Sequence, residues 1–324
     1  MNRRVGVAVV LGVIVSISSI LNSRPDSKIP TLDGTLIYHR YSSYEAWDAT
    51  LWMVDLPTGK HVQVDAQWKG MESPINAHFS PDGQSITFMG SNTSLAEKDW
   101  DVFVSHWKGK FWEEPRNLTG PNGARDEDPK FSPNGRTIIY KENGVLKIID
   151  SISKVKKEVI GAPLESSMPY FSHDGQQILF EHGGEIFTLR NGIATSMRSG
   201  AGLSSYYPIA LNQDSFLYTR VQSNRHDAIY KGYFNREKSY RYFFNSKDWD
   251  TSDPFPLGTG KHFIFYVSGD FSVPHGGYNL MVADLQRKKT MSIDDFFKGL
   301  RASDINSEQE ELGPTWTKVR FQPN

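Results

Sequence analysis

Histidine, tyrosine and cationic side chains recur at regular intervals beside apolar runs in this chain. They are His39 and Arg40, Asn76 and His78, Lys141, Tyr170, His182, Tyr206 and Tyr207, and Arg220 with Asn224 and His226. These residue types suit β-elimination on a uronic acid. That reaction removes an acidified proton and expels the substituent on the next carbon. It therefore needs a cation for the carboxylate, a base near the proton and an acid near the leaving oxygen. Arg and Lys fill the first role. A neutral His takes the proton, and a Tyr protonates the leaving group or acts as base when a cation lowers its pKa. The chain has no cysteine, which excludes disulfides, thiolate zinc sites, a cysteine nucleophile and a lipidated-cysteine anchor. It also has no Gly-rich phosphate loop and no Gly-x-Ser-x-Gly turn, so a serine triad lacks a signal.

The elements that must position these residues are marked by three near-copies of one phrase: Phe79-Ser80-Pro81-Asp82-Gly83, Phe131-Ser132-Pro133-Asn134-Gly135 and Phe171-Ser172-His173-Asp174-Gly175. In each, an aromatic ends one strand and Ser-Pro opens a tight turn. Asp or Asn with Gly then supplies the left-handed positions, and an apolar run starts the antiparallel return. A proline three residues before the repeat Ser occurs at 129 and 169, with Ala77 in that place in the first copy. Degenerate copies carry Pro208 and Pro254, so the anchors recur every 39 to 46 residues, the spacing of a four-stranded propeller blade. Third strands are expected at residues 100–104, 144–149, 185–189, 227–232 and 278–283.

The ends complete each other. Residues 32–38 read as the second half of a hairpin and residues 313–319 as a first strand without one, so strands from both termini close one blade and remove the exposed edges. The expected fold is all-β, a six-bladed β-propeller over residues 32–320, with seven blades as the alternative. A short helical insertion is expected near 293–312 and a tail at 321–324. In each hairpin the start of the first strand and the end of the second share one face. The chemistry-bearing residues above sit at those positions, so that face is expected to carry the site. The hairpin phrase marks the opposite, structural rim, and His173, which replaces the turn proline, is read as part of it.

Composition narrows the partners. With 36 basic against 37 acidic residues and a net charge of −1, the chain offers no general attraction to nucleic acid or to an anionic membrane. Aromatics at 13% suit face-packed sheets and also stacking on sugar rings. Residues 1–23 combine Arg3-Arg4 with an apolar run at 5–21, which reads as a signal peptide or an uncleaved membrane anchor, and 24–31 as a linker. Either reading places the domain outside the cytoplasm, secreted or in the envelope. A cofactor is not required. Calcium is left open on Asp101, Asp126, Glu127 and Asp128, whose spacing fits no fixed ligand pattern.

The Phe-Ser-Pro-Asp-Gly hairpins resemble those of TolB-type, WD-repeat-like propellers over nearly all of 32–319, which implies fold far more than function. His39-Arg40-Tyr41, Asn76-Ala77-His78-Phe79 and Tyr218-Thr219-Arg220 with Asn224 and His226 are also similar to segments of secreted propeller polysaccharide lyases of the ulvan-lyase type. That resemblance implies Arg220 on the substrate carboxylate, His78 as base, Tyr206 or Tyr207 as acid, and the remaining residues named above as substrate contacts. The expectation is thus a monomeric, exported lyase acting on an anionic polysaccharide. The alternative is a non-catalytic envelope propeller that binds a protein, peptide or glycan in its central funnel.

Overall fold

The computed structural model describes residues 32–92, 99–120, 122–197, 203–224, 226–242, 249–258, 260–270, 277–297 and 305–321. The expected leader and linker at 1–31, and the end of the tail, lie outside these residues. Among the described residues no helix is long and apolar enough to cross a membrane.

Six four-stranded antiparallel sheets form the fold. Blade 1 contains β1 (Thr35–Tyr41), β2 (Thr50–Asp55) and β3 (Lys60–Gln63). Blade 2 contains β4 (Glu72–Phe79), β5 (Ser85–Ser91), β6 (Asp101–His106) and β7 (Arg116–Asn117). Blade 3 contains β8 (Asp126–Phe131), β9 (Thr137–Glu142), β10 (Val145–Asp150) and β11 (Lys156–Glu158). Blade 4 contains β12 (Ser166–Phe171), β13 (Ile178–His182), β14 (Glu185–Arg190) and β15 (Ile193–Ser196). Blade 5 contains β16 (Ser205–Ala210), β17 (Ser215–Val221), β18 (Asp227–Tyr233) and β19 (Arg236–Arg241). Blade 6 contains β20 (Asp250–Pro256), β21 (Phe263–Gly269), β22 (Asn279–Asp284) and β23 (Lys289–Ser292). The last strand, β24 (Glu310–Thr317), returns to pair with β1 as the innermost strand of blade 1. Both termini therefore close one blade, as the sequence led us to expect.

The hairpin phrase works through its side chains. Ser80 Oγ donates to Asp82 Oδ1 at 2.6 Å, the Gln84 amide donates to the same oxygen at 2.9 Å, and the Ser85 amide donates to Ser80 Oγ at 3.0 Å. Ser132 with Asn134 and Ser172 with Asp174 repeat the pattern. The turn glycines Gly83, Gly135 and Gly175 have φ of 70°, 73° and 69°, a region that costs a β-carbon dearly. Successive hairpins then interlock: a β-carbon on Gly135 would lie 3.5 Å from Pro81 Cδ, and one on Gly175 3.5 Å from Pro133 Cδ.

Packing follows the same repeat. The second strand of each blade buries an aromatic at one equivalent position: Tyr38, Phe88, Tyr140, Phe180, Tyr218 and Tyr266. Each fills a seam between blades and is worth on the order of 2–3 kcal/mol of apolar burial. The core is accordingly a set of slabs between neighbouring blades rather than one central mass. The insertion begins with a short helix, α1 (Ile293–Phe297), whose Phe296 and Phe297 join the seam of blades 6 and 1. Residues 298–304 lie outside the described set. The chain returns at Ile305, where Asp294 accepts the Ile305 and Asn306 amides at 2.9 and 3.1 Å.

Candidate functional site

Each innermost strand breaks its ladder at one equivalent place. Asn76, Asp128, Met168, Tyr207 and Asp253 have φ between 48° and 55°, and Gly313 has φ 60°. The pairing register shifts at each of these points. Such a bulge turns a side chain out of the sheet, and here it turns six residues toward the axis. Two positions further on, His78, Lys130, Tyr170, Ile209, Phe255 and Thr315 form a second layer. Together the two layers enclose an axial cavity of about 30 Å³. That is room for about two waters, against roughly 300–1,000 Å³ for ligand pockets.

Hydrogen bonds lock this axis. His78 Nδ1 accepts the Phe131 amide of blade 3 at 3.4 Å, and its Nε2 lies 3.2 Å from the Tyr170 hydroxyl of blade 4. Burial, with Lys130 nearby, pushes His78 down to about 3, so the ring is neutral and Nε2 carries the proton. Asn76 Nδ2 donates to Asp128 Oδ1 at 3.0 Å, and the Tyr207 hydroxyl donates to Asn76 Oδ1 at 3.1 Å. His39 Nδ1 accepts the Asn76 amide at 3.3 Å, and burial holds this imidazole also at about 3. Burial depresses the Lys130 ammonium, while Asp128 and Asp253 act in the opposite direction.

The remaining expected residues lie elsewhere. Arg40 pairs with Glu311 at 2.8 Å and donates to the Ile305 carbonyl at 2.7 Å, clamping the insertion onto blade 1. Lys141 pairs with Glu127. His182 packs edge-on against Phe187 with 5.6 Å between ring centroids. Tyr206 donates to Asp227, Arg220 lies over the Tyr230 ring at 5.1 Å, and His226 Nδ1 sits 3.3 Å from Asp250 Oδ1. Asn224 Oδ1 accepts the His226 amide at 3.2 Å. Thus Asn76, His78, Tyr170 and Tyr207 share the axial cavity, whereas Tyr206 and Arg220 do not line it. Among the described residues, no group of three or more His, Asp or Glu side chains is arranged to hold a metal ion.

A concavity of about 450 Å³, larger than the axial cavity, opens on the hairpin rim. The sequence reading expects the mouth on the strand-start face; this concavity lies on the other rim. The bulges close the axis on themselves, while the hairpins flare around it. His78, Tyr170 and Phe255 form the floor, shared with the axial cavity, and Pro81, Pro133, Phe171, His173, Trp316 and Lys318 stand around it. A second groove of about 650 Å³ runs outward between blades 3 and 4 and shares Pro133 and Phe171 with this funnel. His173, which the sequence places on the structural rim, stands at this opening. It replaces the proline of the proline-on-glycine interlock, and blade 5 has no copy of the phrase to receive one.

Comparison with solved structures matches this geometry to one architecture. TolB from Acinetobacter baumannii superposes with a TM-score of 0.65 at 16% identity, covering 87% of this chain and 66% of that one. The fold is that of a TolB-like propeller. A protein assigned as TolB from Agrobacterium tumefaciens gives a TM-score of 0.59 at 12% identity, over 81% of this chain and 88% of that one. The Kuenenia stuttgartiensis hydrazine synthase gives 0.67 at 10% identity over 90% of this chain, but over only 47% of its own length. At these identities the likeness is one of fold. No family model matches the chain, and no curated protein matches it by sequence.

Proposed function

We propose that this TolB-like propeller is a non-catalytic binding protein of the cell envelope that takes an extended peptide segment in its hairpin-rim funnel. The observation that carries the reading is the contrast between the two ends of the axis: about 450 Å³ on the hairpin rim against about 30 Å³ behind it. The funnel falls in the range of ligand pockets, and its proline and aromatic walls suit apolar side chains of a partner chain. The groove continuing between blades 3 and 4 lengthens the site in one direction, as an extended segment requires. The charged leader-like run at the N-terminus supports export.

Uronate elimination is the competing reading. It draws on the histidine and tyrosine of the funnel floor together with Lys318 as a cation. Against it, both ring nitrogens of His78 are engaged and Arg220 lies off the cavity. The two readings separate in one pair of assays. Fluorescence anisotropy with a panel of labelled apolar peptides is expected to give saturable binding that His173→Glu and Trp316→Ala weaken and Arg220→Ala leaves intact. Incubation with pectate, alginate and ulvan is expected to give no ultraviolet signal of an unsaturated uronate. A growing signal that His78→Ala abolishes refutes the binding reading in favour of catalysis.

A further inference from the structure

The funnel is lined by Ser, Thr, Tyr, His, Trp and Lys side chains and by no carboxylate. Ser80 and Ser172 spend their hydroxyls on Asp82 and Asp174 within their own turns. His78 Nδ1 accepts from Phe131, so its Nε2–H donates to the Tyr170 oxygen. The Tyr170 hydroxyl proton is therefore left without an acceptor among the described residues. Behind the floor, the Lys130 side chain is nine-tenths buried and lines the axial cavity, and its ammonium makes no hydrogen bond or ion pair with any described residue. Lys318 stands exposed at the lip. A buried donor without an acceptor is costly. Asp128 and Asp253 act on Lys130 from the bulge layer, two residues before Lys130 and Phe255 in their strands, and line the axial cavity but not the funnel.

We infer that the funnel is a receptor for a free carboxylate, the C-terminal carboxylate of a peptide ending in an apolar or aromatic residue. This rests on the binding function proposed above and names the chemistry of its ligand. The terminal side chain packs against Phe255 and the proline walls. The carboxylate accepts from the Tyr170 hydroxyl, and Lys130 behind the floor and Lys318 at the lip supply positive charge on either side of it. A pocket that presents hydroxyl and ammonium donors and no carboxylate favours an acceptor-only group, which a carboxylate is and a primary amide is not.

The test is isothermal titration calorimetry of the full chain with N-acetylphenylalanine and with N-acetylphenylalaninamide. The free acid is expected to bind about tenfold or more tightly than the amide. Tyr170→Phe and Lys318→Ala are each expected to weaken the acid several-fold and to leave the amide unchanged. Lys130→Met is expected to do the same, provided its circular dichroism spectrum and Tm match those of the parent. The Tyr170 and Lys318 variants carry the test if it does not fold. Equal affinity for acid and amide overturns the carboxylate receptor while leaving peptide binding in the funnel standing. Failure of both compounds to bind overturns the receptor, and the peptide panel above then judges the funnel separately. Galacturonate binding more tightly than the free acid overturns the peptide source and points to a glycan carboxylate instead.

Discussion

The Tyr207 hydroxyl of blade 5 donates to Asn76 Oδ1 of blade 2 at 3.1 Å, joining opposite sides of the ring directly across its axis. Asn76 in turn donates to Asp128 of blade 3 and passes its amide to His39 of blade 1. One polar residue thus ties four of the six blades, and the axis is a structural lock.

Removing that lock has a defined cost. Tyr207→Phe leaves a buried amide oxygen unsatisfied and is expected to destabilise by about 1–2 kcal/mol. A double-mutant cycle with Asn76→Ala, read by urea unfolding, is expected to return a coupling of about 1 kcal/mol. Additive losses contradict a direct bond.

Gly313 is the one bulge residue without a side chain. A β-carbon there would lie 2.9 Å from His39 Cε1, at φ 60°. Gly313→Ala is therefore expected to lower stability by about 2 kcal/mol, and His39→Ala to relieve the steric part of that loss in the double variant. Thermal unfolding of the three proteins checks this, and no relief in the pair disproves the clash.

Glu311 is fully buried and its ionic partner is Arg40. Arg40→Met strands the carboxylate and frees the insertion at Ile305, with an expected loss of about 3–5 kcal/mol. Arg40→Met with Glu311→Leu is expected to recover much of it, measured by denaturant unfolding. Equal stability of single and double variants contradicts the stranded charge.

Asp126 supplies the pH dependence. Its buried Oδ1 has no hydrogen-bond partner among the described residues, and burial raises the carboxyl from 3.8 to about 7. The folded state therefore holds a proton that the unfolded chain releases above about pH 4. Its stabilising effect is full below that pH and is lost as pH rises through about 7. Asp126→Asn is expected to match the wild type near pH 4 and to exceed it by on the order of 2 kcal/mol at pH 8. A margin independent of pH rejects the assignment.

Much of the fold was legible because its repeat is chemical. Phe-Ser-Pro-Asp-Gly specifies a turn through contacts internal to five or six residues, and the aromatic after it fills the same seam in every blade. Even the degenerate copies at Pro208 and Pro254 kept the proline beside the bulge. The site was harder to read. Which rim opens depends on how six bulges meet at the axis, and no single hairpin encodes that. Arg220 and His78 occupy opposite ends of their hairpins' strand pairs in different blades, and only the twist of each sheet decides that one covers Tyr230 while the other reaches the axis. Trp316 lies on the closing strand and Lys318 directly follows it, where the sequence announces topology and says nothing of a lip.

The most direct test of the account is site-specific photo-crosslinking in the native envelope, with a photoreactive amino acid placed at His173, at Lys318 and, on the strand-start face, at Arg220. The funnel account expects polypeptide adducts from positions 173 and 318, competed by N-acetylphenylalanine, and none from 220. Adducts from position 220 alone, or glycan adducts at all three positions, contradict it.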